Sequence, residues 1–245
     1  MKKKPVLILG ASSEISLKLA QKFARIGHPL QLAVRSPQGI LRNVQDLRVR
    51  YSANVNIYEL DILNFKSFDA FLDGLVEAPS IIISAIGHLD KQLSDENKFE
   101  SVKRVVDSNF TGPALLLEKA AHKLSKLQNS VVIIGISSVA GDRGRKKNFW
   151  YGAAKAGFTS SLSAMRQKYH KHGVRVITVC PGFVDTKMLK GLDVPKMLTS
   201  SPEEVANLIL YALENERDIV YSRYWRFIMT VVRLIPENIF KKLNF

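Results

Sequence analysis

Cysteine is nearly absent from this chain of 245 residues. The single one, Cys180, excludes an internal disulfide and a cysteine-rich metal site, and it is compatible with a reducing compartment. No apolar stretch of about 18 residues or more is free of charge, so no membrane-spanning helix is expected. The apolar run at residues 6–9 is too short for a secretory leader and leads straight into a glycine turn, as a strand does. Internal repeats, low-complexity tracts and linkers are lacking as well. Acidic residues are scarce: 22 Asp and Glu stand against 36 Lys and Arg, for a formal charge of +14. The basic residues are spread along the chain, at 2–4, 42–50, 143–147, 168–175 and 217–242. They form no nucleic-acid motif, zinc spacing or basic heptad helix, so nucleic acid is not the expected partner and no metal site is expected. Such a spread suits phosphorylated small molecules or an anionic membrane, and equally a generally basic surface.

What is present is an alternation of strands and helices. Hydrophobic residues make up 46% of the chain, enough for a substantial core at this length. Residues 5–10 are a short continuous apolar run, as expected of a buried parallel strand. Gly10-Ala11-Ser12-Ser13 follows, then an amphipathic helix carrying Ile15, Leu19, Ala20 and Phe23 that ends at Gly27. Strand, glycine turn and helix in that order open a dinucleotide-binding fold, with backbone N–H groups and a helix N-terminus facing a pyrophosphate. Further strands are expected at 30–34, 55–60, 80–84, 130–136, 174–179 and 218–221. Asn64 is expected to cap a helix with an apolar stripe of Phe65, Phe68, Phe71, Leu72, Leu75 and Val76. A long helical region at 99–127 contains Asn109 and Gly112-Pro113, where the proline is expected to introduce a kink. Residues 186–199 read as irregular and as a candidate lid. Ser201-Pro202-Glu203-Glu204 reads as a capping box opening a helix to about Asn215. The fold class is therefore α/β: one doubly wound parallel sheet of about seven strands with helices on both faces.

Ligands in such sheets sit beyond the carboxyl ends of the strands, where Gly10, Gly87 and Ser138 fall. The second strand ends in Arg35-Ser36, where the common NAD-selecting feature is an acidic residue. Arginine pairs bidentately with a 2′-phosphate, so NADPH is expected over NADH; a solvated surface arginine is the competing reading. Tyr151 and Lys155 are four residues apart, on one face of a helix. A phenol titrates near ~10 and is a poor acid at neutral pH; a neighbouring ammonium is expected to lower that value. A serine hydroxyl at Ser138, held beside the phenol, can hydrogen-bond an oxygen as charge builds on it.

Gly10 to Ser13, Asp61, Gly87, Asn109, Ser138, the Tyr151–Lys155 pair, and Pro181-Gly182 with Thr186 together resemble the short-chain dehydrogenase/reductase family over nearly the whole chain. The resemblance implies a single-domain Rossmann oxidoreductase that reversibly reduces a carbonyl to an alcohol with a nicotinamide cofactor. It implies Tyr151 as general acid/base, Lys155 on the nicotinamide ribose, Ser138 orienting the substrate oxygen, and Asn109 holding a proton-relaying water. It also implies cofactor contacts from Ser12, Ser13 and Ile15 after the first strand, and from Asp61 and Ile62 at the adenine. Further contacts would come from Gly87, Pro181, Gly182 and Val184, with Thr186 at the carboxamide. Glu14 and Ser16 stand where the family usually has glycine. A narrower resemblance, through residues 9–16, 85–90 and the basic aromatic C-terminus, is to reductases of polyprenyl-phosphate-linked keto sugars.

The C-terminal stretch, residues 224–245, is strongly apolar and punctuated by Arg226, Arg233, Lys241 and Lys242. It suits a helix lying in a membrane interface, and equally one packed on its own domain or on a second subunit. The expected division is residues 1–222 as the Rossmann unit and 223–245 as an extension of it. A small-molecule substrate, a homo-oligomer and a cytoplasmic location are expected. A cofactor-binding regulator without turnover, or a basic surface binder, are the alternatives. Substrate contacts are expected from residues 89–97, 142–150 and 187–200.

Overall fold

The computed structural model describes residues 3–89, 98–127, 130–189, 191 and 193–243. Most of the expected 89–97 substrate segment, parts of the 187–200 segment and the last two residues of the tail therefore lie outside the described residues. The first apolar run forms β1 (Val6–Leu9), and Ser13 caps α1 (Glu14–Arg25), its side chain accepting from the Ser16 N–H. Then follow β2 (Leu30–Val34), α2 (Leu41–Tyr51), β3 (Val55–Glu59), α3 (Phe68–Asp73) and β4 (Ile81–Ser84). The chain continues through α4 (Lys98–Val106), α5 (Gly112–Leu127), β5 (Val131–Ile136), α6 (Phe149–Tyr169) and β6 (Val174–Cys180). It closes with β7 (Phe183–Val184), β8 (Thr199–Ser200), α7 (Pro202–Glu214), β9 (Ile219–Tyr221), α8 (Trp225–Leu234) and α9 (Glu237–Phe240).

Seven strands make one sheet in the order β3-β2-β1-β4-β5-β6-β9, with every pair parallel. Parallel strands covered on both sides need apolar residues on both sides, which is why β1 and β2 are buried along their whole length. Alternate residues serve opposite faces. Val6 and Ile8 join a core with Leu19 and Phe23 of α1, Val44 of α2 and Ile209 of α7. Leu7 and Leu9 join the other core, with Leu117 of α5 and Phe158 and Leu162 of α6. The order reverses direction between β1 and β4, so the loops after those two strands part and leave a crevice.

Four features depart from the sequence expectations. Helix α2 fills a stretch where none is expected; Ile40, Val44 and Leu47 supply its buried stripe. Asn64 makes no side-chain cap, and Val76, expected in the apolar stripe, is 80% exposed because the helix ends at Asp73. The long helix is not simply kinked at Pro113. Residues 107–111 form a wider π turn in which the Gly112 N–H reaches back to the Asp107 carbonyl. Finally, the segment read as irregular at 186–199 ends in a strand, β8. Strands β7 and β8 pair in parallel at the two ends of that segment, and the Asp185 N–H donates to the Ser200 carbonyl at 2.9 Å. The expected capping box before α7 is formed in both directions between Ser201 and Glu204.

Candidate active site

The loops after β1, β4, β5 and β6 converge on one cleft with a cavity volume of about 200 Å³. Its first wall is the turn after β1. Gly10 has φ +76, a conformation that glycine adopts without strain. Ser16 is fully buried beneath that turn, where its hydroxyl donates to the Gly10 carbonyl at 2.9 Å and accepts from the Ser13 hydroxyl at 2.8 Å. The hydroxyl thus braces the turn from beneath. Glu14, at the start of α1, aims its carboxylate across the cleft, accepting the Lys187 N–H at 3.1 Å. Ser13, Glu14 and Ile15 line the cleft on this side, facing Val184 and Thr186.

The opposite wall is built by β5 and α6. Ser138 ends an extended stretch after β5, and its hydroxyl accepts the Ala140 N–H at 3.1 Å. The short turn that follows lies directly on α6: a Cβ at Gly141 would come within 2.7 Å of the Ala156 nitrogen. That close approach places Ser138 and Tyr151 on the same cleft wall, where the Ser138 hydroxyl donates to the Pro181 carbonyl at 3.5 Å. Lys155, only 2% exposed, donates to the Ile136 carbonyl at 3.2 Å and lies 5.9 Å from the Tyr151 ring centroid. Burial holds its ammonium down to about 8. Burial pushes the Tyr151 phenol above its ordinary value, and the partner that opposes this is Ser138. The expected lowering by Lys155 is thus not what this geometry produces; desolvation dominates.

Asn109 is fully buried on the π turn, and its side chain clamps the strand-β4 loop. Its Nδ2 donates to the carbonyls of His88 at 2.6 Å and Val105 at 2.8 Å, and its Oδ1 accepts the His88 N–H at 3.1 Å. Both amide hydrogens are therefore engaged by protein, which fits a brace for Gly87 and His88 better than a free donor to water. Ser138, Tyr151, Lys155, Gly87, Pro181, Gly182, Val184 and Thr186 all line the cleft. Gly10 and Ser12 form the turn behind it. Arg35 and Asp61 stand exposed at the ends of β2 and β3, where Asp61 accepts the Leu63 N–H at 3.0 Å. Ile62 points its side chain into the core beneath.

A family model for the short chain dehydrogenases matches residues 4–196. The chain belongs to that family. This short-chain dehydrogenase is similar, at 28% identity over 98% of its length and 96% of the relative's, to an uncharacterized oxidoreductase of Mycobacterium tuberculosis. A 3-oxoacyl-acyl-carrier-protein reductase of Aquifex aeolicus is 25% identical, with 84% of this chain and 88% of that one covered. In fold it resembles a short chain dehydrogenase of Burkholderia cenocepacia solved with NADP, with a TM-score of 0.81 and 20% identity. That match covers 96% of this chain and 99% of the other. A short-chain dehydrogenase of Sphingobium yanoikuyae solved with NADPH gives a TM-score of 0.82 at 21% identity, covering 98% and 96%.

The dehydrogenase's cleft also contains residues from the expected 142–150 and 187–200 segments, and one, Trp225, that no sequence signal marks. Arg145 and Asn148 come from the loop before α6, Met188 and Leu189 from the segment after β7, and Trp225 from α8. Trp225 is decisive for shape. A Cβ at Gly182 would fall 1.9 Å from its Nε1, so glycine after Pro181 is what lets the indole close that end. The indole N–H donates to the Leu198 carbonyl at 2.9 Å. No spacing rule links residues 182 and 225, so only the fold reveals the contact.

Proposed function

We propose that this short-chain dehydrogenase is an NADPH-dependent reductase that converts a carbonyl to an alcohol, reversibly, with Tyr151 as the proton donor. The observation that carries this reading is the convergence of Ser138, Tyr151 and Lys155 in one cleft with the turn after β1. The residues fit a dinucleotide: Gly87 leaves the floor open, since a Cβ there would lie 3.3 Å from Asn109 Oδ1 and 3.7 Å from Lys155 Nζ. The helix α1 N-terminus favours a pyrophosphate, Arg35 at the end of β2 suits a 2′-phosphate, and Asp61 at the end of β3 suits the adenine. Ser12, Ser13, Ile15, Ile62, Pro181, Gly182, Val184 and Thr186 complete the contacts we assign to it. The NADP and NADPH found in structural relatives support that choice of cofactor.

When bound, the cofactor supplies a hydride to the carbonyl carbon. The chain's own residues handle the oxygen. Ser138 hydrogen-bonds it and stabilises the charge that develops there. Tyr151, with its pKa raised by burial, is protonated at neutral pH and so holds the proton that the oxygen needs. The Lys155 ammonium is four residues on along the same helix and offsets the charge left on the phenolate as the proton leaves. Asn109 keeps the loop after β4 in place. Reduction of a carbonyl, monitored by NADPH absorbance, should be abolished in Tyr151→Phe while NADPH binding is retained. Equal or better use of NADH would remove the argument from Arg35. Failure to bind either cofactor would favour a regulator that has lost turnover.

A keto sugar carrying a phosphate or a lipid is the substrate class we favour. It is supported by the basic composition and by a cleft that is apolar beyond the reacting groups. We assign residues 1–222 to the dinucleotide-binding unit and 223–245 to an extension that closes its substrate end. The outer face of α8, with Phe227 and Leu234 at 74% and 77% exposure beside Arg226, favours a peripheral contact with an anionic membrane or a second subunit. Among the described residues no helix is long and apolar enough to cross a membrane.

A further inference from the structure

Two arginines in the loop between Ser138 and Tyr151 have different fates. Arg143 spends its donors on the C-terminal segment. Its Nη1 reaches the carbonyls of Val232, Arg233 and Ile235 at 3.2, 3.0 and 2.7 Å, and its Nη2 pairs with Glu237 at 2.7 Å. Arg145, two residues later, lines the cleft beside Asn148 and Tyr151. Its Nε is buried and has no hydrogen-bond partner among the described residues. Burial lowers its pKa, and Asp142 is the charge that opposes the shift.

Asp142 does not saturate that guanidinium. One of its oxygens accepts the Tyr221 hydroxyl at 3.3 Å, and the other is buried without a hydrogen-bond partner. The same carboxylate lies 3.8 Å from Arg233, and it makes no hydrogen bond or ion pair with Arg145 among the described contacts. A guanidinium taken out of water with donors unmade is unfavourable unless something else supplies acceptors. None of the described residues lining the cleft hydrogen-bonds that Nε, and Met188, Leu189, Val139 and Trp225 supply apolar wall.

We propose that Arg145 selects substrates that carry an anionic group, a carboxylate or a phosphate, on the same molecule as the reacting carbonyl. The inference rests on the reading of this cleft as a carbonyl-reducing site and deepens it. The planar fork of arginine matches either group through two parallel hydrogen bonds, and partial burial makes that pairing stronger than at an open surface. The apolar walls hold the rest of the substrate. The cofactor's own phosphates are a different anion, held at the turn after β1 and at the end of β2, so Arg145 has no part in their binding.

The test compares matched pairs in the NADPH-loaded enzyme: a keto acid with its ethyl ester, and a ketose with its phosphate. Wild type should favour the anionic member of at least one pair by about ten-fold or more in kcat/KM, mostly through KM. The pair that shows it separates carboxylate from phosphate. Arg145→Leu should erase the preference while the neutral member and NADPH affinity stay unchanged, and Arg145→Lys should retain part of it. Arg145→Gln serves if the leucine variant fails to fold. A preference of equal size in wild type and variant, no preference in wild type, or weakened NADPH binding would overturn the proposal. If no carbonyl is reduced, the reductase reading fails separately. Quenching of tryptophan fluorescence by the keto acid and the sugar phosphate then decides this one: binding by wild type but not by Arg145→Leu supports it, and equal or absent binding overturns it.

Discussion

Burial at the floor of the cleft holds the Lys155 ammonium near 8 and raises the Tyr151 phenol, so desolvation moves the two groups apart in acidity, each towards its neutral form. The consequence for rate has a definite sign. Below about 8 the lysine is charged and can stabilise the tyrosinate; above it the charge is lost. For carbonyl reduction, kcat/KM should fall as pH rises through about 8, and Lys155→Met should remove that limb along with most activity. Stability moves the other way. The unfolded chain keeps this proton up to about 10.5 and the folded chain loses it near 8, so folding is favoured increasingly across that window. Lys155→Met should therefore melt higher than wild type at pH 7, by the equivalent of roughly 1–3 kcal/mol, with the gap closing towards pH 10. Glu14 gives a second case. Its carboxylate bridges to the Lys187 N–H beside the place assigned to the pyrophosphate. Glu14→Gln keeps an acceptor and removes the repulsion, so NADPH should bind about three- to ten-fold tighter in a fluorescence titration.

Helix α8 shows how an element acquires a role that its own composition does not dictate. Trp225 and Met229 are buried with Val139 and Cys180 under the cleft, while Phe227, Val231 and Leu234 face outward. The Cys180 thiol, wholly enclosed there, is pushed up to about 12 and is inert as a nucleophile. Arg143 fastens the far end of the helix by capping its last carbonyls and stacking 4.0 Å from the Phe240 ring. The loop that carries Ser138 and the tail therefore hold each other. Gly182→Ala should unseat Trp225, because the added methyl would fall on the indole. The expected outcome is rapid proteolysis within residues 223–243 and a lower melting temperature. Unchanged protease resistance would argue that the indole has room to move.

For the whole molecule, charge and shape give one further expectation. A formal charge of +14 draws the chain towards anionic surfaces, and the outward face of α8 presents apolar side chains to whatever is met there. Co-sedimentation with vesicles rich in anionic lipid should be measurable at low salt and reduced in the double variant Phe227→Asp, Leu234→Asp. Binding that depends on salt alone and ignores the double variant would leave charge as the sole cause. A shift to a smaller species in the same variant would instead identify a subunit interface.

The chain's strands and their alternation with helices were legible because parallel strands buried on both faces must be continuous apolar runs; the seven of the main sheet follow those runs closely. Gly10, Ser138, Tyr151 and Lys155 were legible because turns, strand ends and helical spacing are local. Helix α2 was missed although Ile40, Val44 and Leu47 repeat at helical spacing, because four charged residues within it dilute the stripe. Asn109 was found, but the engagement of its amide by His88 and Val105 depends on a loop that packs from elsewhere. By itself the sequence determined the sheet, the family and the candidate trio of Ser138, Tyr151 and Lys155, all of which rest on short-range pattern. Tertiary structure alone decided the direction of the Tyr151 pKa, the closure of the cleft by Trp225 and the unpartnered state of the Arg145 Nε. Those depend on desolvation and on contacts between residues far apart in the chain, and burial is a property of the packed whole.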